Sequence, residues 1–221
     1  MTSCFTHAFV RPPTRSLAEC QLLHLPRNPL DFAGASREHR DYVTALEQAG
    51  VVVTILPAAP ELPDAVFVED TCVMLEEVAV LCRPGTVSRL GEAALFAAEA
   101  ARLRPVFEIR SPATLEGGDV LRIGRTLFAG RSTRSNAEGI RQLREIVSAF
   151  GYVVKEVAVS GCLHLKTAIT APGGDRLLAN PAWLDLSPFR DFEVMALPAE
   201  EPWGGNTLPL NGRVLVAASA P

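Results

Sequence analysis

Hydrophobic and polar positions along this chain recur in a fixed order: an amphipathic helix, a strand, a polar loop, then a short hairpin. Ser36 can cap a helix over 36–49, with Tyr42, Val43 and Leu46 on one face and Gly50 as its stop. Residues 51–56 are rich in β-branched side chains and predict a strand. An acidic loop follows (Asp64, Glu69, Asp70), and then two strands over 73–75 and 78–81. The order repeats with a helix over 91–103 ended by Pro105, a strand over 106–109, a loop holding Glu116-Gly117-Gly118-Asp119, and a hairpin of 120–123 and 126–129. A third copy has Asn136 as helix cap, Ile140, Leu143, Val147 and Phe150 on one stripe, and Gly151 as stop. Its strand spans 152–159, its loop 160–164 ends at His164, and strands over 167–170 and 176–179 follow. A weaker fourth copy offers a short helix near 184–189, a strand over 192–197 and a hairpin of 207–210 and 214–217 about Asn211-Gly212. Ahead of all of these stand a strand over 5–10, stopped by Pro12-Pro13, and an irregular stretch over 14–35.

The helix stops Gly50, Pro105 and Gly151 lie 55 and 46 positions apart, a period that suggests modules arranged about an axis. Glu69-Asp70, Glu116 and His164 then occupy comparable loop positions and converge at the centre. Gly85…Arg89 and Gly130…Arg134 repeat a second spacing, with an arginine four residues after a glycine and just before a helix. A helix N-terminus is an unfavourable place for a cation, so a shared functional reason is favoured.

Composition narrows the class. The chain has 221 residues, is 48% hydrophobic and carries a net charge of -4 without a basic run, which argues against a nucleic-acid partner. No apolar run is long enough to cross a bilayer, and the N-terminus does not read as a signal peptide. Five cysteines (Cys4, Cys20, Cys72, Cys82, Cys162) without CxxC spacing predict neither a zinc site nor a disulfide framework, and a reduced, cytoplasmic chain is the simplest expectation.

A histidine beside a glutamate can be held in one tautomer and supported as an imidazolium. Asp64, Glu69 and Asp70 in one loop need a neutralising cation. No lysine or arginine is near in sequence, so a substrate guanidinium fits, with a divalent metal as the competing reading. Two arginines on neighbouring modules can take a carboxylate, so the implied ligand resembles arginine.

Phe67-Val68-Glu69-Asp70, Glu116-Gly117-Gly118-Asp119, Thr133-Arg134-Ser135-Asn136-Ala137-Glu138-Gly139 and Leu163-His164-Leu165-Lys166-Thr167 together resemble the dimethylarginine dimethylaminohydrolase family, in order from about Thr6 to Pro221. The resemblance implies an α/β fold, the five-module ββαβ propeller of the guanidine-modifying penteins, as a single domain over 1–221 with its last module incomplete. It implies hydrolysis of Nω-methylated arginine to citrulline and a methylamine, with no metal or cofactor. On that resemblance His164 is the general acid/base and Glu116 its partner. Asp64, Glu69 and Asp70 form the guanidinium site, Arg89 and Arg134 the carboxylate site, and the loop near 21–23 the lid. Lys166 stands where arginine deiminases and amidinotransferases carry an acid, which makes an arginine deiminase the second reading. The family's nucleophile is a cysteine near the C-terminus, expected beyond Pro221, since none of the five cysteines matches its motif. Cys162, two residues from His164, is expected to be a buried structural cysteine. An inactive, truncated arginine-binding protein is the alternative of a different class. The expected partner is a small molecule, with no nucleic acid and no membrane. The open edge of an incomplete module implies association, a homodimer in its simplest form.

Overall fold

The structure, a computed structural model, describes residues 5–217; Cys4 and Pro221 lie outside them. The fold is α/β. Strand β1 (His7–Val10) precedes a 3-10 turn over Arg15–Glu19 and helix α1 (Phe32–Gln48), and β2 (Val52–Ile55) returns parallel to β1. Next come β3 (Cys72–Met74), β4 (Ala79–Leu81), α2 (Ala94–Leu103) and β5 (Val106–Glu108). Then follow β6 (Val120–Ile123), β7 (Thr126–Arg131), α3 (Ala137–Ser148) and β8 (Val153–Ala158). A four-residue helix α4 (Leu165–Ala168) leads into β9 (Ile169–Gly173), β10 (Arg176–Ala179) and β11 (Glu193–Ala196), and the hairpin β12 (Leu208–Leu210) and β13 (Arg213–Leu215) comes last.

Among the described residues these strands pair into five small sheets, not one continuous sheet. Three of them share one plan: an antiparallel hairpin whose second strand also takes a later strand in parallel. That plan holds for β3-β4-β5, β6-β7-β8 and β9-β10-β11. The parallel strand is reached through a helix in the first two cases and through a 3-10 turn over Ser187–Phe189 in the third. Such crossovers let a helix cover one sheet face, and α3 does so with Ile140, Leu143 and Val147, all fully buried with Val80, Leu115 and Leu127. Phe128 on β7 faces the next unit, stacked on Phe189 with ring centroids 4.3 Å apart.

Local boundaries depart from the sequence reading where a cap was misassigned. Helix α1 starts at Phe32, not at Ser36: Asp31 caps it by accepting from the Gly34 amide at 2.9 Å, and Ser36 Oγ bonds back to Phe32 O within the first turn. The stretch after His164 turns into α4 before β9 begins, so the strand expected over 167–170 starts two residues late. Asn136 does cap α3, accepting from Gly139 at 2.8 Å, and Asn211 (φ 48) with Gly212 (φ 80) makes the last hairpin turn. No helix among the described residues is long and apolar enough to cross a membrane.

Gly139 supplies a test of how tightly the units abut. Alanine in a helix is ordinarily favoured over glycine by roughly 0.5–1 kcal/mol. Here a Cβ on Gly139 would land on the carbonyl oxygen of Thr114 in the neighbouring loop. Gly139→Ala is therefore expected to destabilise the fold, by about 1–3 kcal/mol as overpacking does, in urea denaturation. A gain in stability would contradict the packing described.

Candidate active site

Three loops, each leading into the first strand of one of the three-stranded sheets, carry the reactive side chains. The chain before β3 makes a 3-10 turn over Val68–Thr71, fastened by Thr71 Oγ1 to Val68 O at 2.7 Å, which turns Asp70 inward and leaves Glu69 outward. The loop before β6 makes a second 3-10 turn over Gly117–Asp119, with fully buried Glu116 at its start. His164 caps α4 ahead of β9. The loops touch, and glycine is what lets them: a Cβ on Gly118 would sit 2.6 Å from Asp70 Oδ1 and 2.8 Å from the His164 ring, and one on Gly117 would strike Glu69 O. Gly118 N also donates to Asp70 Oδ1 at 2.9 Å.

The side chains meet at short range. His164 Nε2 lies 2.7 Å from Glu116 Oε2 and 3.9 Å from Asp70 Oδ1. Burial alone would push the His164 imidazolium down, but the bond to Glu116 and the charges of Asp70, Asp119 and Glu116 outweigh it and raise its proton affinity above the ordinary histidine value. Burial pushes the Glu116 carboxyl up, and the bond to His164 with the nearby Arg89 and Arg134 charges brings it below the usual range. Glu116 Oε1 takes the Gly85 amide at 3.0 Å, so its position is set from both sides.

The acidic groups have cations of their own, contrary to the sequence expectation that the cation was missing. Arg89 Nη1 donates to Asp70 Oδ2 at 2.9 Å and to Glu116 Oε2 at 3.1 Å. Lys166 Nζ reaches Glu69 Oε1 at 2.6 Å. Folding brings both from remote sequence, 19 positions away for Arg89 and 97 for Lys166. Asp70, Glu116 and His164 offer donor atoms within 4.8 Å of one another, as a metal would need, but Arg89 already occupies the two carboxylates. Asp64 is held otherwise, accepting from the Gln21 amide at 2.9 Å. Arg134 Nη1 reaches Thr86 Oγ1 at 3.0 Å and Glu116 Oε1 at 3.6 Å, while its Nε and Nη2 are buried without a partner among the described residues.

A cavity of about 560 Å³ opens onto this centre. Asp64, Glu69, Asp70, Arg89, His164 and Lys166 all line it, and Leu22 and Leu23 of the 20–25 segment cover it from one side. Arg134 does not line it, and Glu116 stands behind His164. Cys162 is buried, its thiol pushed up to about 12 by burial and by Asp119, and Sγ bonds to the His164 carbonyl rather than to the ring. Cys20 lines the cavity with its thiol raised by burial.

Two functional-looking residues escaped the sequence reading. Asp119, fully buried, accepts from Ser132 Oγ (2.7 Å), Ser135 Oγ (2.6 Å) and the Leu165 amide (2.9 Å), which ties the residue after His164 to the Glu116 loop. Its place in Glu116-Gly117-Gly118-Asp119 was visible, but its role was not. Glu92 grips Arg89 through Nε at 3.0 and 3.1 Å and Nη2 at 2.8 Å. The three-residue spacing from Arg89 was the available signal.

The family model described as N,N dimethylarginine dimethylhydrolase, eukaryotic, matches residues 32–170. The chain is 35% identical over 220 residues to the N(G),N(G)-dimethylarginine dimethylaminohydrolase of Pseudomonas aeruginosa, covering 98% of this chain and 86% of the relative. It is 40% identical over 217 residues to the same-named protein of Streptomyces coelicolor, covering 97% and 83%. A solved structure of the Pseudomonas aeruginosa enzyme, a Cys-to-Ser mutant complexed with citrulline, superposes with a TM-score of 0.93 at 34% identity, covering 99% of this chain and 86% of that one. The chain belongs to the dimethylarginine dimethylaminohydrolase family.

The His164 environment predicts a pH signature. A histidine whose proton affinity rises on folding contributes stability that is fully present below about pH 6.5, its unfolded value, and is lost as pH rises through the higher folded value. The stability gap between wild type and His164→Gln is therefore expected to be largest in acid and to shrink above the folded value, read by urea denaturation across the pH range. A gap that does not change with pH would contradict the Glu116–His164 pairing.

Proposed function

We propose that this protein hydrolyses Nω-methylated arginine to citrulline and a methylamine. The observation that carries the reading is the 2.7 Å Glu116–His164 contact at the floor of the acid-lined cavity, in a chain of this family. On this reading the substrate guanidinium sits against Asp64, Glu69 and Asp70. A thiolate adds to its central carbon, the methylamine leaves with a proton from His164, and water, deprotonated by His164, releases citrulline from the thiol. The raised proton affinity of His164 suits the first proton transfer, and Glu116 stabilises the imidazolium. For the substrate carboxylate the family resemblance names Arg89 and Arg134; here Arg89 lines the cavity but is engaged by Asp70, Glu92 and Glu116, and Arg134 does not line it, so either arginine would have to change partners to take the carboxylate. Neither Cys162 nor Cys20 is read as that thiolate, because burial holds both toward the neutral thiol. The five small sheets are read as modules of one domain over 1–221, set about an axis through His164 and Glu116. Lys166 favours a methylated guanidinium over arginine itself: its bond to Glu69 takes up a carboxylate that a second N–H of arginine would otherwise use.

Two measurements test this. In calorimetry, Asp70→Asn is expected to weaken dimethylarginine at least roughly tenfold more than uncharged citrulline, since charge-assisted bonds to buried groups contribute about 1.5–3 kcal/mol. Equal weakening would remove Asp70 from the guanidinium site. Active protein should release citrulline from dimethylarginine, and its His164→Gln variant almost none; equal rates would remove His164 from the reaction.

A further inference from the structure

The two arginines that repeat along the chain are held in different ways. Arg89 is followed at the third position by Glu92, and Arg134 at the same position by Ala137. The consequence is visible atom by atom. Nε and Nη2 of Arg89 are both taken by Glu92, at 2.8–3.1 Å, leaving Nη1 to bridge Asp70 and Glu116. The corresponding Nε and Nη2 of Arg134 have no partner among the described residues. Glu92 is itself only 1% exposed and touches neither the His164 ring nor the acidic loop by hydrogen bond. A buried carboxylate is costly unless its charge is used, and among the described residues its side chain is hydrogen-bonded to Arg89 alone.

We propose that Glu92 is a positioning residue for the reaction: by gripping one edge of the Arg89 guanidinium it aims the other edge at Asp70 and Glu116, and so fixes the carboxylate that His164 works with. Glu116 Oε2 accepts from both Arg89 and His164, so a rotation of Arg89 would free that oxygen from one of its two anchors. The charge count follows the same network. Asp70, Glu92, Glu116 and Asp119 stand against Arg89 and Arg134, four acidic groups against two basic ones, and a protonated His164 reduces that excess. The other charged groups facing this network are Asp64 and Arg11, both toward Glu92. Lys166, on the helix that His164 caps, is engaged by Glu69. Removing the Glu92 charge removes part of the reason for His164 to keep its proton, even though the two side chains do not touch. The inference deepens the proposed function, but its test needs no turnover.

The test is nuclear magnetic resonance on the protein, whose four histidines make the His164 ring assignable by substitution. In wild type, the Arg89 Nη protons should exchange slowly and rotation about its Nε–Cζ bond should be hindered; rotation as free as that of an exposed arginine would overturn the proposal without any variant. Glu92→Gln keeps the size and removes the charge, and it should lower the His164 titration midpoint by roughly one pH unit, a tenfold change in proton affinity. Glu92→Asp keeps the charge and shortens the reach, so it should loosen Arg89 and move the midpoint less than Glu92→Gln does. An unmoved midpoint in Glu92→Gln, or equal movement in both variants, would overturn the assignment. Calorimetry with citrulline and dimethylarginine on the same samples separates this from the proposed function: a wild-type protein that binds neither, with the His164 shifts as expected, refutes the substrate and not Glu92.

Discussion

One guanidinium lets this centre exist. Asp70, Glu92 and Glu116 are each at most 5% exposed, and three carboxylates that close and that dry would ordinarily hold protons or force the loops apart. Arg89 lies among all three, at 2.8–3.1 Å, and is itself 1% exposed. Its burial disfavours the cation, and the surrounding carboxylates more than offset that, leaving it firmly protonated. With Arg89 in place Glu116 can stay ionised beside His164, and an ionised Glu116 is what raises the proton affinity of the imidazole. The chain from a buried ion pair to a usable proton runs through single hydrogen bonds, each shared between two of these side chains.

The fold supplies the approach that this electrostatics needs. Short sheets of two or three strands bring three loops to one point, each loop tightened by a 3-10 turn or a single helical turn, and glycine at 117 and 118 allows backbone to touch backbone. Asp119 then ties the Glu116 loop to Leu165, so the two halves of the Glu–His pair are joined by backbone as well as by side chain. Stability and function therefore draw on the same residues, and a core substitution such as one at Phe128 acts on the unit that follows His164 as much as on its own.

What could be read from the residues alone was periodic or local. The stripe Ile140, Leu143, Val147, the Asn136 cap and the Asn211-Gly212 turn depend on neighbours a few positions apart, and they stand in the structure as read. Asp70, Glu116 and His164 also meet as read, because a repeat converts sequence position into spatial position, whereas Glu69, read into the same centre, turns outward to Lys166. The Asp31 cap was missed because Ser36 sits inside a helix whose first turn carries Gly34, a weak helix former. The cations of the acidic loop were missed for a different reason. Arg89 and Lys166 approach from other loops, and no local pattern encodes which arginine closes on which carboxylate.

The dependence on Arg89 can be measured directly by comparing wild type with Arg89→Met in urea denaturation at pH 7 and again near pH 5. Breaking a buried pair by removing one partner costs about 3–5 kcal/mol because the other charge is left uncompensated. The stability deficit of Arg89→Met should be of that size at pH 7 and clearly smaller in acid, where Glu92, whose carboxyl burial pushes up, can take up a proton in place of the lost cation. A deficit equal at both pH values would mean that Arg89 acts by packing alone, and would contradict the account given of the site.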